Sequence, residues 1–111
     1  MFSFPIIVSF DEQLGLLRLT GDEDRSTSGG RRQPLSAALN ATRDVKVDLS
    51  ELSFADSSLM IDFACLAQRL RARGRTLSLR DPQPHVQQLI ELVGLHRLPS
   101  VFLVAPHPAR G

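Results

Sequence analysis

The 111-residue sequence contains a single cysteine, Cys65, and no long hydrophobic run. One cysteine excludes an intramolecular disulfide and a zinc site built from several cysteines, so a reducing compartment fits the chain best. No apolar stretch approaches the roughly 20 residues that a membrane-spanning helix needs. The first ten residues, MFSFPIIVSF, lack the basic segment and the small-residue cleavage site of a secretory signal. These absences predict a cytoplasmic protein without membrane insertion.

The chain also lacks an excess of charge, because 13 basic and 12 acidic side chains leave a net charge of +1. Such a balance creates no global field that would attract nucleic acid, so direct nucleic-acid binding is not expected. The three histidines (His85, His96 and His107) have neither the i, i+4 spacing nor the cysteine partners of a zinc site. We therefore expect no metal and no cofactor.

The residues that are present predict an α/β domain. Apolar residues make up 42% of the chain, which is enough for one core, and 111 residues fit a single domain spanning 1–111. Two strands, at 4–10 and 14–20, form a hairpin, with Pro5 placing the first strand at a sheet edge. Strands and helices then alternate in the order β-β-α-β-α-β-α-β. This pattern predicts a mixed sheet covered by helices.

The remaining boundaries follow from turn residues and apolar spacing. Residues 21–34 read as a long polar loop and 105–111 as a flexible tail. The predicted helices are 33–43, 57–73 and a third from Pro84 to Gly94; the predicted strands begin at Val45 and span 76–79 and 101–104. In the second helix the apolar residues form a core-facing stripe that also includes Cys65 as a buried thiol; its main members are Leu59, Phe63, Leu66 and Leu70.

The segment VDLSELSFADSSLM is the most informative part of the sequence. A strand leads into a polar turn, and a helix begins at Asp56 or Ser57. The first turn of a helix has unpaired backbone N–H groups and the positive end of the dipole, so a phosphate on Ser57 or Ser58 would be tolerated there. The simpler interpretation, that Asp56 or Ser57 only caps the helix, remains open. A nucleophile elbow is disfavoured because Ser57 lacks flanking glycines.

Four segments carry a resemblance to a known family: LTGDED, VDLSELSFADSS, RARGRTLSL and IELVGLHRL. Together with the order of elements, they resemble the STAS domain, specifically the bacterial anti-sigma factor antagonists. The resemblance extends from about Ile6 to Val104. It implies a STAS-like α/β fold and a regulatory protein rather than an enzyme.

The resemblance also implies a mechanism. Ser57 would be the phosphoacceptor, Asp56 would shape its turn, and Asp24 would be an acidic residue on an adjoining loop. The implied partner is an anti-sigma factor that is also a serine kinase; binding it frees a sigma factor, and phosphorylation of Ser57 ends the binding. The predicted partner-binding residues are Asp24, Asp56, Ser57, Ser58, Leu59 and Met60.

The sequence departs from the family where a glycine usually follows the two hydroxyl residues. Leu59, Met60 and Ile61 stand there instead, which predicts bulk on exposed first turns of the helix. An exposed apolar patch of Leu59, Met60 and Leu95 near Ser57 would favour docking over catalysis. Two alternatives stay open: a STAS-type regulatory subunit of a lipid ABC transport complex that is not phosphorylated, and a small enzyme that uses Ser57.

Overall fold

A computed structural model describes residues 7–22, 32–55 and 57–104. In these residues, strands and helices follow one another in the predicted order. The elements are β1 (Ile7–Asp11), β2 (Leu16–Asp22), α1 (Arg32–Leu39), β3 (Val45–Phe54), α2 (Ser57–Ala72), β4 (Leu77–Arg80), α3 (Pro84–Val93) and β5 (Val101–Val104). A 3-10 turn at Leu95–Arg97, absent from the predicted order of elements, joins α3 to β5.

The five strands form one sheet in the order β1-β2-β3-β4-β5. β1 pairs with β2 in antiparallel fashion and lies at an edge, and the other neighbours are parallel. The predicted mixed α/β sheet is therefore confirmed. Because each helix connects neighbouring parallel strands in the same direction across the sheet, and such crossovers are right-handed, all three helices cover one face.

The core lies between that face and the helices. Alternate residues of the central strands are buried, as the two-residue period of a strand requires. In β3, for example, Val45, Val47 and Leu49 are fully buried, whereas Lys46 and Asp48 on the opposite face are only partly covered. The predicted stripe of α2 packs against them, and all four of its main members are fully buried; these are Leu59, Phe63, Leu66 and Leu70.

Glycines end two of the helices as the sequence indicates. Gly74 and Gly94 follow α2 and α3 with φ of 72° and 77°, a left-handed conformation that glycine adopts without strain. After α2 the Arg75 N–H donates to the Leu70 carbonyl at 2.8 Å, which closes a Schellman-type cap. Pro84 occupies the first turn of α3, where its missing N–H costs no hydrogen bond.

Several predicted boundaries differ from the structure. β2 continues through Asp22 and α1 begins at Arg32, so both ends of the predicted 21–34 loop belong to regular elements. Residues 23–31 and the predicted tail 105–111 lie outside the described residues. α1 ends at Leu39 rather than near residue 43, because Arg73 donates to the carbonyls of Leu39 and Ala41 and replaces helical hydrogen bonds there.

Cys65 is exposed rather than buried. Cys65 precedes Leu66 by one residue, and one residue corresponds to about 100° around a helix. Cys65 therefore lies beside the buried stripe and not on it. The prediction of a buried thiol is therefore wrong. No helix in the described part of the chain combines the length and apolarity needed to cross a membrane.

Candidate functional site

Ser57 is the first residue of α2, and its side chain is exposed. The preceding strand, β3, ends at Phe54, and Ala55 is buried between the two elements with 8% exposure. Residues on both sides of this short connection are buried in the same core. Their burial fixes the position at which α2 starts. The first turn of the helix, at the positive end of its dipole, therefore presents Ser57 to solvent.

An apolar groove of about 260 Å³ runs from Ser57 between α2 and the end of α3. Its lining residues are Ser57, Met60, Ile61, Ala64, Val93, Gly94, Leu95 and Leu98. Met60 and Leu95 are buried at 3% exposure, whereas Ile61 and Val93 are 62% and 48% exposed. The groove thus has a buried floor and large apolar side chains that protrude beside the serine.

The groove exists because the chain changes direction at the end of α3. The Gly94 N–H donates to the carbonyls of Ile90 and Glu91, and the left-handed Gly94 leads directly into the 3-10 turn. This turn places Leu95 in the core and sends Leu98 back along α2. A continuing α3 would not produce this path, so the cap at Gly94 shapes the groove as well as ending the helix.

The predicted exposure of Leu59 and Met60 is wrong. Leu59 is fully buried and Met60 is 3% exposed, because both belong to the core face of α2. Leu95 is also buried, so these three residues form no exposed patch. Of the three residues that replace the family's glycine-rich stretch, only Ile61 adds bulk to the surface.

The other predicted site residues fall into two groups. Ser58 is half-buried next to Ser57 on the first turn of α2. Asp24 and Asp56 lie outside the described residues, so their part in the site stays a prediction. The structure brings Ser57 and Met60 to the same groove.

Sequence reasoning missed Ile61, Val93 and Leu98 as site residues. Ile61 carries a detectable signal, because it is a large apolar residue about 200° away from Leu59 and hence off the buried stripe. Val93 shares a helical face with the buried Val86 and Ile90, yet it protrudes because α3 ends there. Leu98 carries no comparable signal, since its position depends on the 3-10 turn.

β3 contains two irregularities close to the site. In its pairing with β2, β3 contains one extra residue between Asp48 and Glu51 and another at Ser53. The carboxylate of Asp48 fixes the first one by accepting from the Ser50 N–H at 3.0 Å and the Ser50 hydroxyl at 2.7 Å. Bulges of this kind bend a strand and redirect its end. Here they precede the turn that carries Ser57.

The ionisation of Asp48 follows from these contacts. Partial burial acts to raise the pKa of Asp48, but the two hydrogen bonds from Ser50 and the nearby Arg18 guanidinium outweigh it. Arg18 Nε lies 3.4 Å from an Asp48 carboxylate oxygen. The net result is a pKa below the usual value for an aspartate. The first bulge is therefore held by a charged acceptor at neutral pH.

His85 is bonded to the backbone, and no metal set forms among residues 7–22, 32–55 and 57–104. The Nε2 of His85 hydrogen-bonds to the Ser53 carbonyl. No cluster of three His, Cys, Asp or Glu side chains in these ranges could hold a metal ion. His107 lies outside them. A larger cavity of about 430 Å³ lies at the far end of the molecule, between the β1–β2 turn and the end of α1, and contains none of the predicted site residues.

Comparison with known proteins identifies the fold and the family of the chain. The family model described as "Mlab, STAS domain" matches residues 6–104. No curated protein is significantly similar in sequence to this chain. The resemblance predicted from Ile6 to Val104 is confirmed by the match.

Solved structures support the same assignment. The chain is similar to the anti-sigma factor antagonist SpoIIAA in its unphosphorylated form, with 26% identity and a TM-score of 0.64, covering 81% of this chain and 78% of that one. An anti-sigma-factor antagonist (STAS) domain protein from Planctomyces limnophilus shares the fold, with a TM-score of 0.68 at 13% identity over 93% of this chain and 92% of its own. A Thermotoga maritima structure also shares it, with a TM-score of 0.65 at 15% identity over 91% and 86% of the two chains. The chain therefore belongs to the STAS domain family, in the group described as Mlab.

Proposed function

We propose that this chain is an anti-sigma factor antagonist that binds an anti-sigma factor kinase, releases a sigma factor, and is switched off by phosphorylation of Ser57. The observation that carries the proposal is the position of Ser57, exposed on the first turn of α2 at the mouth of an apolar groove. The similarity to unphosphorylated SpoIIAA, an anti-sigma factor antagonist, supports it. An antagonist of this kind works in the bacterial cytoplasm, and the proposal includes that location.

The groove supports a docking role. Ile61 and Val93 protrude on either side of it, and a partner that covers them gains apolar burial worth roughly 25 cal/mol per Å². Such a partner also removes Ser57 from water, because the serine lines the same groove. A neutral hydroxyl is inexpensive to bury when it can hydrogen-bond to the partner. The unphosphorylated chain is therefore the form that binds.

Phosphorylation reverses this balance. A phosphoserine adds about −1.5 to −2 charges at pH 7. In the free chain the helix N-terminus accommodates the added charge, so the fold is preserved. In the complex the same dianion is desolvated next to apolar side chains, and Asp56 precedes it in the sequence. An uncompensated buried charge costs about 2–5 kcal/mol, so binding falls at least about thirtyfold.

The buried residues of the first turns have a supporting role in this proposal. Leu59 and Met60 anchor α2 to the core and thereby hold Ser57 and Ile61 in place. We propose that Ser57, Ser58 and Ile61 contact the partner. Asp56 and Asp24 are proposed to add negative charge around the phosphoserine.

The test of the phosphorylation step uses intact-mass analysis. The chain is incubated with candidate anti-sigma factor kinases and ATP, alongside Ser57→Ala and the matched control Ser58→Ala. The proposal predicts one added phosphate on the wild type and on Ser58→Ala, and none on Ser57→Ala. Stable co-purification with a transport ATPase that Ser57→Asp leaves unchanged would instead favour the transport-subunit alternative.

A further inference from the structure

Within the part of the chain that the structure describes, no strand lies beside the far half of β3 on the β4 side. β3 is ten residues long, and β4 pairs only with its first four, from Val45 to Asp48. Backbone carbonyls beyond Asp48 that turn to this side are therefore free of the β4 ladder and can accept hydrogen bonds from groups outside the sheet. The strand that leads to Ser57 is thus held on this side by something other than the sheet.

Side chains from the start of α3 supply those donors. The Gln83 amide donates to the Ser50 carbonyl at 3.2 Å, and His85 Nε2 hydrogen-bonds to the Ser53 carbonyl. These carbonyls belong to the two irregular places of β3, where an extra residue turns the backbone out of the ladder with β2. A carbonyl can only accept, so Nε2 of His85 carries the hydrogen.

The two contacts connect β3, which leads to Ser57, with α3, which lines the groove. Ser53 precedes Ser57 by four positions, so the His85 contact fixes the end of the strand that delivers the serine. α3 runs from this contact to Val93 and Gly94, which line the groove beside Ser57. Its ten residues span about 15 Å. The position of α3 therefore affects the serine at one end and the groove at the other.

We propose that His85 is a positioning residue for the Ser57 site: its bond to the Ser53 carbonyl locks the β3–α2 turn and the groove wall in α3 into one unit. Gln83 reinforces the bond at Ser50. The significance of this unit for regulation rests on the proposed function, but the mechanical connection does not.

The test needs no partner protein. We compare wild type, His85→Ala, His85→Gln and the control Gln88→Ala, which alters an exposed residue of the same helix. Amide NMR resonances of Ser57, Ser58 and Gly94 are recorded together with hydrogen exchange across β3. His85→Ala is expected to shift all three resonances and to speed exchange at the end of β3 roughly three- to tenfold, the loss of one hydrogen bond. His85→Gln keeps an amide donor, so its resonances and exchange rates should be close to those of the wild type. Gln88→Ala should leave both unchanged.

A purely structural role would give a different pattern. In that case His85→Ala would speed exchange equally in β3 and in the distant β1–β2 hairpin, and this result overturns the proposal. A His85→Ala spectrum that is unchanged at Ser57 also overturns it. If His85→Ala does not fold, the reciprocal measurement decides: Ser57→Glu must shift the ring resonances of His85 while Leu14→Ala, in the remote β1–β2 turn, does not, because coupling between two sites acts in both directions. The kinase assay is separate. Absence of phosphorylation refutes the proposed function and leaves the NMR result standing.

Discussion

Replacement of Ile61 by alanine separates docking from folding. Ile61 is 62% exposed at the mouth of the groove, so the free chain buries only a minor part of its side chain. Complete burial of an isoleucine is worth about 1.5–3 kcal/mol. A partner that covers the remaining 62% thus gains roughly 1–2 kcal/mol. Ile61→Ala should therefore weaken binding by about 5- to 30-fold.

Leu14 provides a matched control. It is 58% exposed, close to the value for Ile61, but it lies in the β1–β2 turn. That turn adjoins the beginning of β3, since Leu16 pairs with Lys46, whereas Ser57 follows the end of β3. The two ends of this strand are separated by roughly 25 Å. Leu14→Ala should leave partner affinity unchanged.

The assay is isothermal titration of each variant with the anti-sigma factor kinase that phosphorylates the wild type, accompanied by chemical unfolding. Both variants are expected to unfold within about 1 kcal/mol of the wild type, because mostly exposed side chains contribute little to stability. Equal affinities for Ile61→Ala and Leu14→Ala would refute the assignment of the groove as the docking surface. So would a loss of affinity that matches a loss of stability.

Two further predictions concern stability. Gly15 and Gly74 both have positive φ, but a Cβ on Gly15 would lie 2.3 Å from the Asp44 carbonyl oxygen, whereas one on Gly74 meets nothing within 4 Å. Urea unfolding should therefore show a loss of about 1 kcal/mol for Gly74→Ala and about 1–3 kcal/mol more for Gly15→Ala; equal losses would contradict the geometry. The pKa of Asp48 is lowered in the folded chain, so its stabilisation is present above the unfolded value of about 3.9 and is lost as pH falls through the lower folded value. Asp48→Asn should reduce stability by less than about 1 kcal/mol at pH 7 and flatten the decline below about pH 4, as followed by thermal unfolding; a decline as steep as in the wild type would rule this out.

Much of the fold could be predicted because local signals agree with the tertiary structure. Pro84 and Gly94 mark the limits of α3, and the observed helix is Pro84–Val93. Gly74 likewise marks the end of α2. In these places the backbone geometry that the fold needs is one that only a few residue types adopt easily, so the residue type reveals the boundary.

The boundaries that failed depend on contacts between distant residues. α1 stops at Leu39 because Arg73, 34 positions later, donates to its last carbonyl. The 3-10 turn after Gly94 likewise has no periodic signal of its own, since three residues are too few to establish one. Such features follow from packing and are not encoded in local spacing.

The candidate site was predictable in part. The position of Ser57 at the start of α2 follows from the change from strand to helix pattern, and the structure agrees. The groove does not follow, because it requires α2 and the end of α3 to be neighbours. Leu59 and Met60 were placed on the surface by comparison with glycines in the family, but the helical spacing of this chain puts both on the core face. The periodicity of the chain itself was the better guide at these two positions.

The most direct test of the switch compares one chain in two chemical states. The chain phosphorylated at Ser57 and the unmodified chain are titrated into the same anti-sigma factor kinase, with the fold of both verified by circular dichroism. The phosphorylated chain is expected to bind with an affinity at least about thirtyfold lower. Two equal affinities, with both chains folded, would contradict it.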